Sequence, residues 1–332
     1  MQNGLSNPSN LRKMTKTELS VVVPLYNEDS NINILYKELK EVLQKLNKEY
    51  EIIFVDDGST DKSHEKLQEI YNSSEHVKII KFRRNFGQSA AICAGFFNSK
   101  GEVIIVMDAD LQNDPRDIPK LLDKLNEGYD LVSGWRFNRN DPFLKRLSSK
   151  LANWMHKKLT GLKIHDSGCT LKAYKRESIK NLNLFGEMHR YIPALISLKG
   201  FKISEIKVNH RSRKYGRTKY GMSRLVHGFL DLLYIKFWSE FSTRPLHFFG
   251  YLGIIPIILG IIIGIVKAIN LVILFLNNEP VVVAPLLLFS VFLIIVGILF
   301  IIFGFLAEMN VMMNYSQTNQ QKYEIEKILS KS

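Results

Sequence analysis

Cysteine is nearly missing from this chain. With Cys93 and Cys169 as its only two, it can build neither a disulfide framework nor a four-thiolate zinc site, and no Cys-x-x-Cys pair occurs. A reducing, cytosolic setting fits that usage. Gly-x-Gly-x-x-Gly and the P-loop pattern are also absent, which removes the usual signatures of dinucleotide dehydrogenases and P-loop NTPases. Residues 1–18 are polar and lack an apolar core of signal-peptide length, so they read as a disordered leader and not a targeting sequence. Charge is scarce between 248 and 306, where Lys267 and Glu279 stand alone, and acid is absent between 207 and 224.

What remains is a chain of 332 residues, long enough for two units at the usual ~100–200 residues per domain. Lys and Arg number 45 against 32 Asp and Glu, a formal charge of +13, while 46% of residues are hydrophobic and 23% charged. That balance excludes disordered and collagen-like chains. The uncharged stretch divides into two apolar runs, 248–276 and 281–306, each longer than the ~20 residues a bilayer core demands. Between them lies Asn277-Asn278-Glu279-Pro280, a polar, helix-breaking turn without Lys or Arg. Lys236 and Arg244 flank one end and Lys322, Lys327 and Lys331 the other. The positive-inside rule then predicts a multi-pass protein of the cytoplasmic (inner) membrane with both termini in the cytoplasm.

Before these runs, short apolar segments alternate with helical patterns. Strands are predicted at 19–24, 50–55, 77–82 and 103–108, with helices near 32–47, 62–71 and 88–99. This is the βαβ rhythm of an α/β fold with a mostly parallel, Rossmann-like sheet and helices on both faces. Ser20-Val21-Val22-Val23 and Val103-Ile104-Ile105-Val106-Met107 are continuously apolar or small, as strands buried on both faces are. Ligands of such sheets bind beyond the carboxyl ends of the strands. Four of those ends are polar: Pro24-Leu25-Tyr26-Asn27-Glu28, Asp56-Asp57-Gly58-Ser59-Thr60-Asp61, Arg83-Arg84-Asn85-Phe86-Gly87 and Asp108-Ala109-Asp110-Leu111-Gln112. Carboxylates there can accept from a base N–H or from ribose hydroxyls. Asp108 and Asp110, two apart on an extended segment, point the same way and can share one hard cation, with Gln112 continuing the face. Mg²⁺ or Mn²⁺ held by one or two carboxylates and by substrate phosphates is the usual arrangement for such ligands.

Taken together and in this order, these four segments resemble glycosyltransferase family 2 domains of the GT-A type, over residues 19–219. They resemble in particular the polyprenyl-phosphate branch, which includes dolichyl-phosphate mannose synthase and bacterial undecaprenyl-phosphate glucosyltransferases. The resemblance implies that Pro24, Tyr26, Glu28, Asp56 and Asp57 surround the nucleotide, either aspartate taking the base. It further implies that Asp110 and Gln112 ligate the metal and that Asp108 faces the donor sugar. Leu162-Lys163-Ile164-His165-Asp166-Ser167-Gly168-Cys169 and Gly186-Glu187-Met188-His189-Arg190-Tyr191 resemble the bacterial branch. Cys169-Thr170 replaces the Phe-Arg that eukaryotic and archaeal relatives carry after Ser-Gly, which favours an undecaprenyl carrier. Asp166 stands where the family places a base or an acceptor-orienting carboxylate, and it could equally cap a helix. A phosphate acceptor, with a second pKa of about 6, scarcely needs a base. Cys169 reads as a small packing residue and not a nucleophile, while His165 and His189 are ambiguous and could be ordinary structural histidines.

The basic run from 207 to 224 holds Lys207, Arg211, Arg213, Lys214, Arg217, Lys219 and Arg224. Interleaved Tyr215 and Tyr220 would fit nucleic acid, but the run precedes the apolar segments, so a membrane-proximal phosphate is the better partner. Arg136, Arg211, Arg213 and Lys219 are the candidate ligands of diphosphate and acceptor phosphate, against simple adhesion to anionic headgroups. Between 221 and 241, Leu225, Phe229, Leu232, Leu233 and Phe237 interleave with charges, an interfacial amphipathic pattern. The boundaries that follow are a leader to 18, a catalytic domain at 19–220, juxtamembrane helices at 221–247, two spanning helices at 248–307 and a tail at 308–332.

The expected reaction is inverting transfer of one sugar, by default glucose from UDP-glucose, to undecaprenyl phosphate for cell-envelope glycan modification. N-acetylglucosamine or mannose are the alternatives. A processive polysaccharide synthase would carry Gln-x-x-Arg-Trp, and none of Trp135, Trp154 or Trp238 follows an arginine. A membrane-anchored nucleotidyltransferase could use similar aspartates but would release pyrophosphate, and a scaffold would tolerate Asp110→Ala. The pair Gly260 and Gly264 would allow close helix approach and so a homo-oligomer.

Overall fold

The computed structural model describes residues 17–137, 161–212 except 163, 181, 183, 185 and 187, then 236–237, 240–241, 244–278, 280 and 285–318. The chain divides into two units, Met1–Leu232 and Leu233–Ser332.

The first unit is built on a seven-stranded sheet in the order β3-β2-β1-β4-β6-β5-β7. Its strands are β1 (Leu19–Leu25), β2 (Tyr50–Asp56), β3 (Val77–Lys81), β4 (Val103–Val106), β5 (Leu131–Arg136), β6 (Lys172–Lys175) and β7 (Ile203–Val208). The helices between them are α1 (Asp29–Lys45), α2 (Ser63–Asn72), α3 (Gln88–Asn98), α4 (Ile118–Asn126), α5 (Arg176–Ile179) and α6 (Ile192–Leu198). β6 runs antiparallel to β4 and β5, while β1 pairs parallel with β2 and β4, β2 with β3, and β5 with β7. The apolar runs form the central strands because both their faces are covered. Leu19, Val21, Val23 and Leu25 join Ile32, Leu35, Leu39 and Leu43 of α1 in one core. Val22, pointing the other way, meets α3 so closely that a Cβ on Gly95 would lie 2.2 Å from its Cγ1.

The alternation of strands and helices matches the expected mostly parallel sheet. One difference bears on the site. The fourth strand was expected to reach 108, but β4 ends at Val106, and Leu111 turns the chain with a φ of 62°. Pro24 is tolerated in the central β1 because it lies beyond Val22↔Val106, the last pair with β4.

The second unit is a hairpin of α7 (Pro245–Leu276) and α8 (Pro285–Thr318) joined through a turn at Asn277 and Asn278. Both are long and apolar enough to cross a membrane, and little of either is buried within the protein. The two helices approach through small residues. A Cβ on Gly253 would lie 2.5 Å from the Gly297 carbonyl, and one on Gly260 would lie 2.6 Å from that of Ser290. Gly264 also faces Ser290. This glycine pair therefore packs inside one chain and gives no support to the homo-oligomer expected from it. Glu308 of α8 accepts from the Leu246 amide at 3.2 Å, closing one of the open N–H groups at the start of α7.

Candidate active site

The carboxyl ends of β1, β2 and β4 and the loops after β3 and β5 converge on one rim of the sheet. Two loops are stitched first. Asn27, at a φ of 55°, donates its amide to Ser59 Oγ at 3.0 Å, and its Oδ1 accepts from Thr60 N at 2.8 Å. Glu28 N donates to Ser63 Oγ at 2.9 Å, and Glu28 Oε2 accepts from Asn31 Nδ2 at 2.6 Å. Pro24 is buried there, while Tyr26 and Glu28 are half-buried.

The two neighbouring aspartates behave differently. Asp57 accepts from the amides of Phe86 at 2.7 Å and Gly87 at 2.9 Å, one per carboxylate oxygen, and so clamps the loop after β3. Burial raises its pKa above the usual carboxylate value, with the two amides pulling the other way. Asp56 uses Oδ1 to accept from Ser59 N at 2.8 Å. Its buried Oδ2 has no hydrogen-bond partner among the described residues and lies 3.5 Å from His64 Nδ1. Gly58 is needed between these aspartates and Ser59: at a φ of 71°, a Cβ would come within 2.4 Å of the Arg84 carbonyl carbon.

At the end of β4, Asp108, Asp110 and Gln112 are half-buried, while Ala109 and Leu111 between them sink into the core. The three oxygen-bearing side chains thus alternate in burial with two apolar anchors, although the chain bends here and leaves the extended strand at Val106. Asp108 is held from two sides, by Gln88 Nε2 at 2.7 Å and by the Thr170 hydroxyl. Asp110 Oδ1 accepts from Gln112 N at 3.1 Å.

The Ser-Gly loop joins this group from β6. Asp166 receives a bidentate fork from Arg136, at 2.7 Å from Nε and 2.8 Å from Nη2. Gly168 leaves the fork room, since a Cβ there would lie 3.2 Å from Arg136 Nη2. Beneath the loop, Lys172 is 3% exposed and donates to the carbonyls of Cys169 and Ser167. Burial pushes its ammonium below the ordinary lysine value, against the field of Asp166 and Asp108. Cys169 is fully buried with its thiol pushed up to about 11, as suits a packing residue. His189 is buried against Ser89 of α3, with Nδ1 and Oγ 2.9 Å apart.

The expected residues thus fall into three groups on one rim: 24–28 with 56–57, 108–112, and Arg136 with Asp166. Arg211 stands differently from expectation. Its guanidinium is engaged by Glu38 and Asp114. Arg213 and Lys219, the leader before 17, the amphipathic pattern between 221 and 235 and the tail beyond 318 lie outside the described residues. Sequence reasoning missed Gln88, Thr170, Lys172, Glu38 and Asp114. Gln88 had one signal, its place just after the loop glycine Gly87. The others had none, because their partners are 40 or more residues away in the chain or are backbone carbonyls.

The family model described as glycosyl transferase family 2 matches residues 20–182. The dodecaprenyl-phosphate galacturonate synthase of Rhizobium johnstonii is 36% identical over 328 residues, covering 94% of this chain and 93% of that protein. The undecaprenyl-phosphate 4-deoxy-4-formamido-L-arabinose transferase of Pectobacterium atrosepticum is 36% identical over 291 residues, 87% of each. Among solved structures, glucosyl-3-phosphoglycerate synthase of Mycobacterium tuberculosis with Mn²⁺, UDP and phosphoglyceric acid shares the fold. Its TM-score is 0.52 at 17% identity, over 67% of this chain and 78% of that one.

Proposed function

The chain belongs to glycosyl transferase family 2, and we propose that it is a membrane-bound inverting enzyme moving one sugar from a nucleoside diphosphate sugar to a polyprenyl phosphate. The observation that carries the reading is the alternation at 108–112, which sets three half-buried, oxygen-bearing side chains together just beyond the end of a buried strand. The acceptor class rests on the two relatives, both named for polyprenyl-phosphate products or substrates. Their sugars are galacturonate and a formamido-arabinose, so the donor is more reasonably a uronate or modified pentose than the glucose expected from the motifs.

In this reading Asp56 takes the base or ribose, since its Oδ2 has no hydrogen-bond partner while both oxygens of Asp57 hold the loop. Pro24, Tyr26 and Glu28 stand at the neighbouring end of β1, where Leu25 pairs with Asp56, and would border the same nucleotide. Asp110 and Gln112 are hard oxygen donors that fit Mg²⁺ or Mn²⁺. Among the described residues no three His, Cys, Asp or Glu side chains cluster as a metal site, so the donor's diphosphate would complete the shell. Once bound, such an ion offsets charge on the departing diphosphate and orients the donor. Asp108, fixed by Gln88 and Thr170, faces the sugar. Asp166 orients Arg136 toward the acceptor phosphate and removes no proton, because that phosphate is already largely ionised at neutral pH. The phosphate oxygen then displaces the nucleoside diphosphate at the anomeric carbon, helped by fixed orientation.

The test is to incubate detergent-purified protein with undecaprenyl phosphate, Mg²⁺ or Mn²⁺ and a panel of UDP- and GDP-sugars that includes uronates, pentoses and hexoses. The lipid is then weighed by mass spectrometry. A single sugar on the lipid phosphate with release of nucleoside diphosphate is expected, lost with Asp110→Ala or with EDTA. Release of pyrophosphate would point instead to nucleotidyl transfer.

A further inference from the structure

Arg211 carries a charge that the transferase reading leaves without work, because its guanidinium is already satisfied. Nη1 donates to both carboxylate oxygens of Glu38 on α1, at 2.9 and 2.8 Å. Nη2 lies 2.6 Å from Asp114 Oδ1, an atom on the loop that continues from Asp110 and Gln112. The backbone repeats the link. Arg211 N donates to the Gln112 carbonyl at 2.9 Å, His210 bridges antiparallel to Asn113, and Asn209 N donates to Asp117 Oδ2 at 2.7 Å. Asp114 is nearly fully buried.

A guanidinium forked between two carboxylates has most of its donors spent, and those carboxylates repel a phosphate dianion. We propose that Arg211 is a positioning residue: a latch that ties the chain leaving β7 to α1 and to the loop of Asp110 and Gln112. The inference rests on the transferase reading in one respect, that the residues following the latch, Arg213 to Lys219, serve the acceptor phosphate. The latch then sets where that segment starts relative to the donor side. Three carriers of one function, Arg211, Glu38 and Asp114, follow from this arrangement, whereas a phosphate ligand would need the arginine alone.

The experiment uses the full chain in detergent with Arg211→Met, Glu38→Gln, Asp114→Asn and the double variant Glu38→Gln/Arg211→Met. The first readout is limited trypsin cleavage after Arg213, Lys214, Arg217 and Lys219. The latch predicts that all three single variants are cut about tenfold faster there, as local opening is eased, with the double variant no worse than Arg211→Met because the two act as a unit. Cleavage at the wild-type rate in Glu38→Gln and Asp114→Asn overturns the proposal. The second readout is transfer to undecaprenyl phosphate. Here the KM for the lipid is expected to rise in every single variant, while UDP affinity measured by calorimetry stays within about twofold, since the latch acts on the acceptor segment. Loss of lipid use with Arg211→Met alone would make that residue a phosphate ligand and overturn the latch. A parallel loss of UDP affinity and thermal stability in all three would reduce it to scaffolding and overturn it too. If wild-type protein transfers no sugar to the lipid, the transferase reading has failed, and the cleavage result still decides the latch.

Discussion

At the scale of single residues, the informative contrasts lie between groups that sequence makes look alike. Asp56 and Asp57 are adjacent acids, yet only Asp57 has both oxygens spent on amides of another loop. Asparagine at 57 could accept one of those N–H groups and would set its own NH₂ against the other. An unsatisfied buried donor costs about 1–3 kcal/mol. Asp57→Asn is therefore expected to lower the unfolding midpoint of the catalytic unit by several degrees and to weaken UDP binding, read by calorimetry. Lys172 gives the opposite balance. Lys172→Met keeps the length and removes a buried charge, which relieves desolvation, while it orphans the carbonyls of Ser167 and Cys169. These terms offset in stability, so the expected signature is a fall of about tenfold or more in kcat with the unfolding midpoint nearly unchanged, because Thr170 and Asp166 lose the loop that aims them.

At the scale of elements, α3 seats on the sheet through a missing side chain. Gly95 sits where a Cβ would press on Val22 at 2.2 Å, and the buried β1 cannot simply retreat. Gly95→Ala should cost about 1–3 kcal/mol through overpacking. It should also move Gln88 at the head of α3, and with it the hydrogen bond to Asp108. Val22→Ala removes the offending methyls, so the double variant Val22→Ala/Gly95→Ala is expected to recover most of the midpoint and the activity lost in Gly95→Ala, as a denaturation series on both would register. The same element shows what was legible in advance. The strands β1 to β4 and the helices α1 to α3 announce themselves through apolar runs at the right period. The rim residues Asp56, Asp57, Asp108, Asp110 and Gln112 follow from standing at strand ends. β6 was not legible, because Lys172-Ala173-Tyr174-Lys175 has no apolar run: its Lys172 is buried only by virtue of tertiary partners. The pairing of Arg211 with Glu38, 173 positions away, was equally invisible, since a basic run reads as a solvated or ligand-binding face until the acids opposite it are known.

At the scale of the whole molecule, the arrangement of charge and the scarcity of cysteine make topology measurable. α7 and α8 span 32 and 34 residues, about 50 Å each at 1.5 Å per residue, which exceeds a hydrocarbon core of about 30 Å. The turn at Asn277 and Asn278 carries no Lys or Arg, while Lys236 and Arg244 stand before the hairpin and Lys322, Lys327 and Lys331 after it. The energetic preference for retaining positive charge on the cytoplasmic side should therefore place the turn outside and the two ends inside. Cys169 is buried and Cys93 half-buried in the catalytic unit, so few native thiols compete with an introduced one. Asn278→Cys in intact cells is expected to react with a membrane-impermeant maleimide before lysis. Ser332→Cys should react only after the membrane is opened. Labelling of Ser332→Cys in intact cells, with Asn278→Cys protected, would invert the orientation and put the catalytic unit on the side where no nucleotide sugar is supplied. Labelling of both before lysis would mean that the hairpin does not cross the bilayer, and the helices would then have to be explained by burial against a partner.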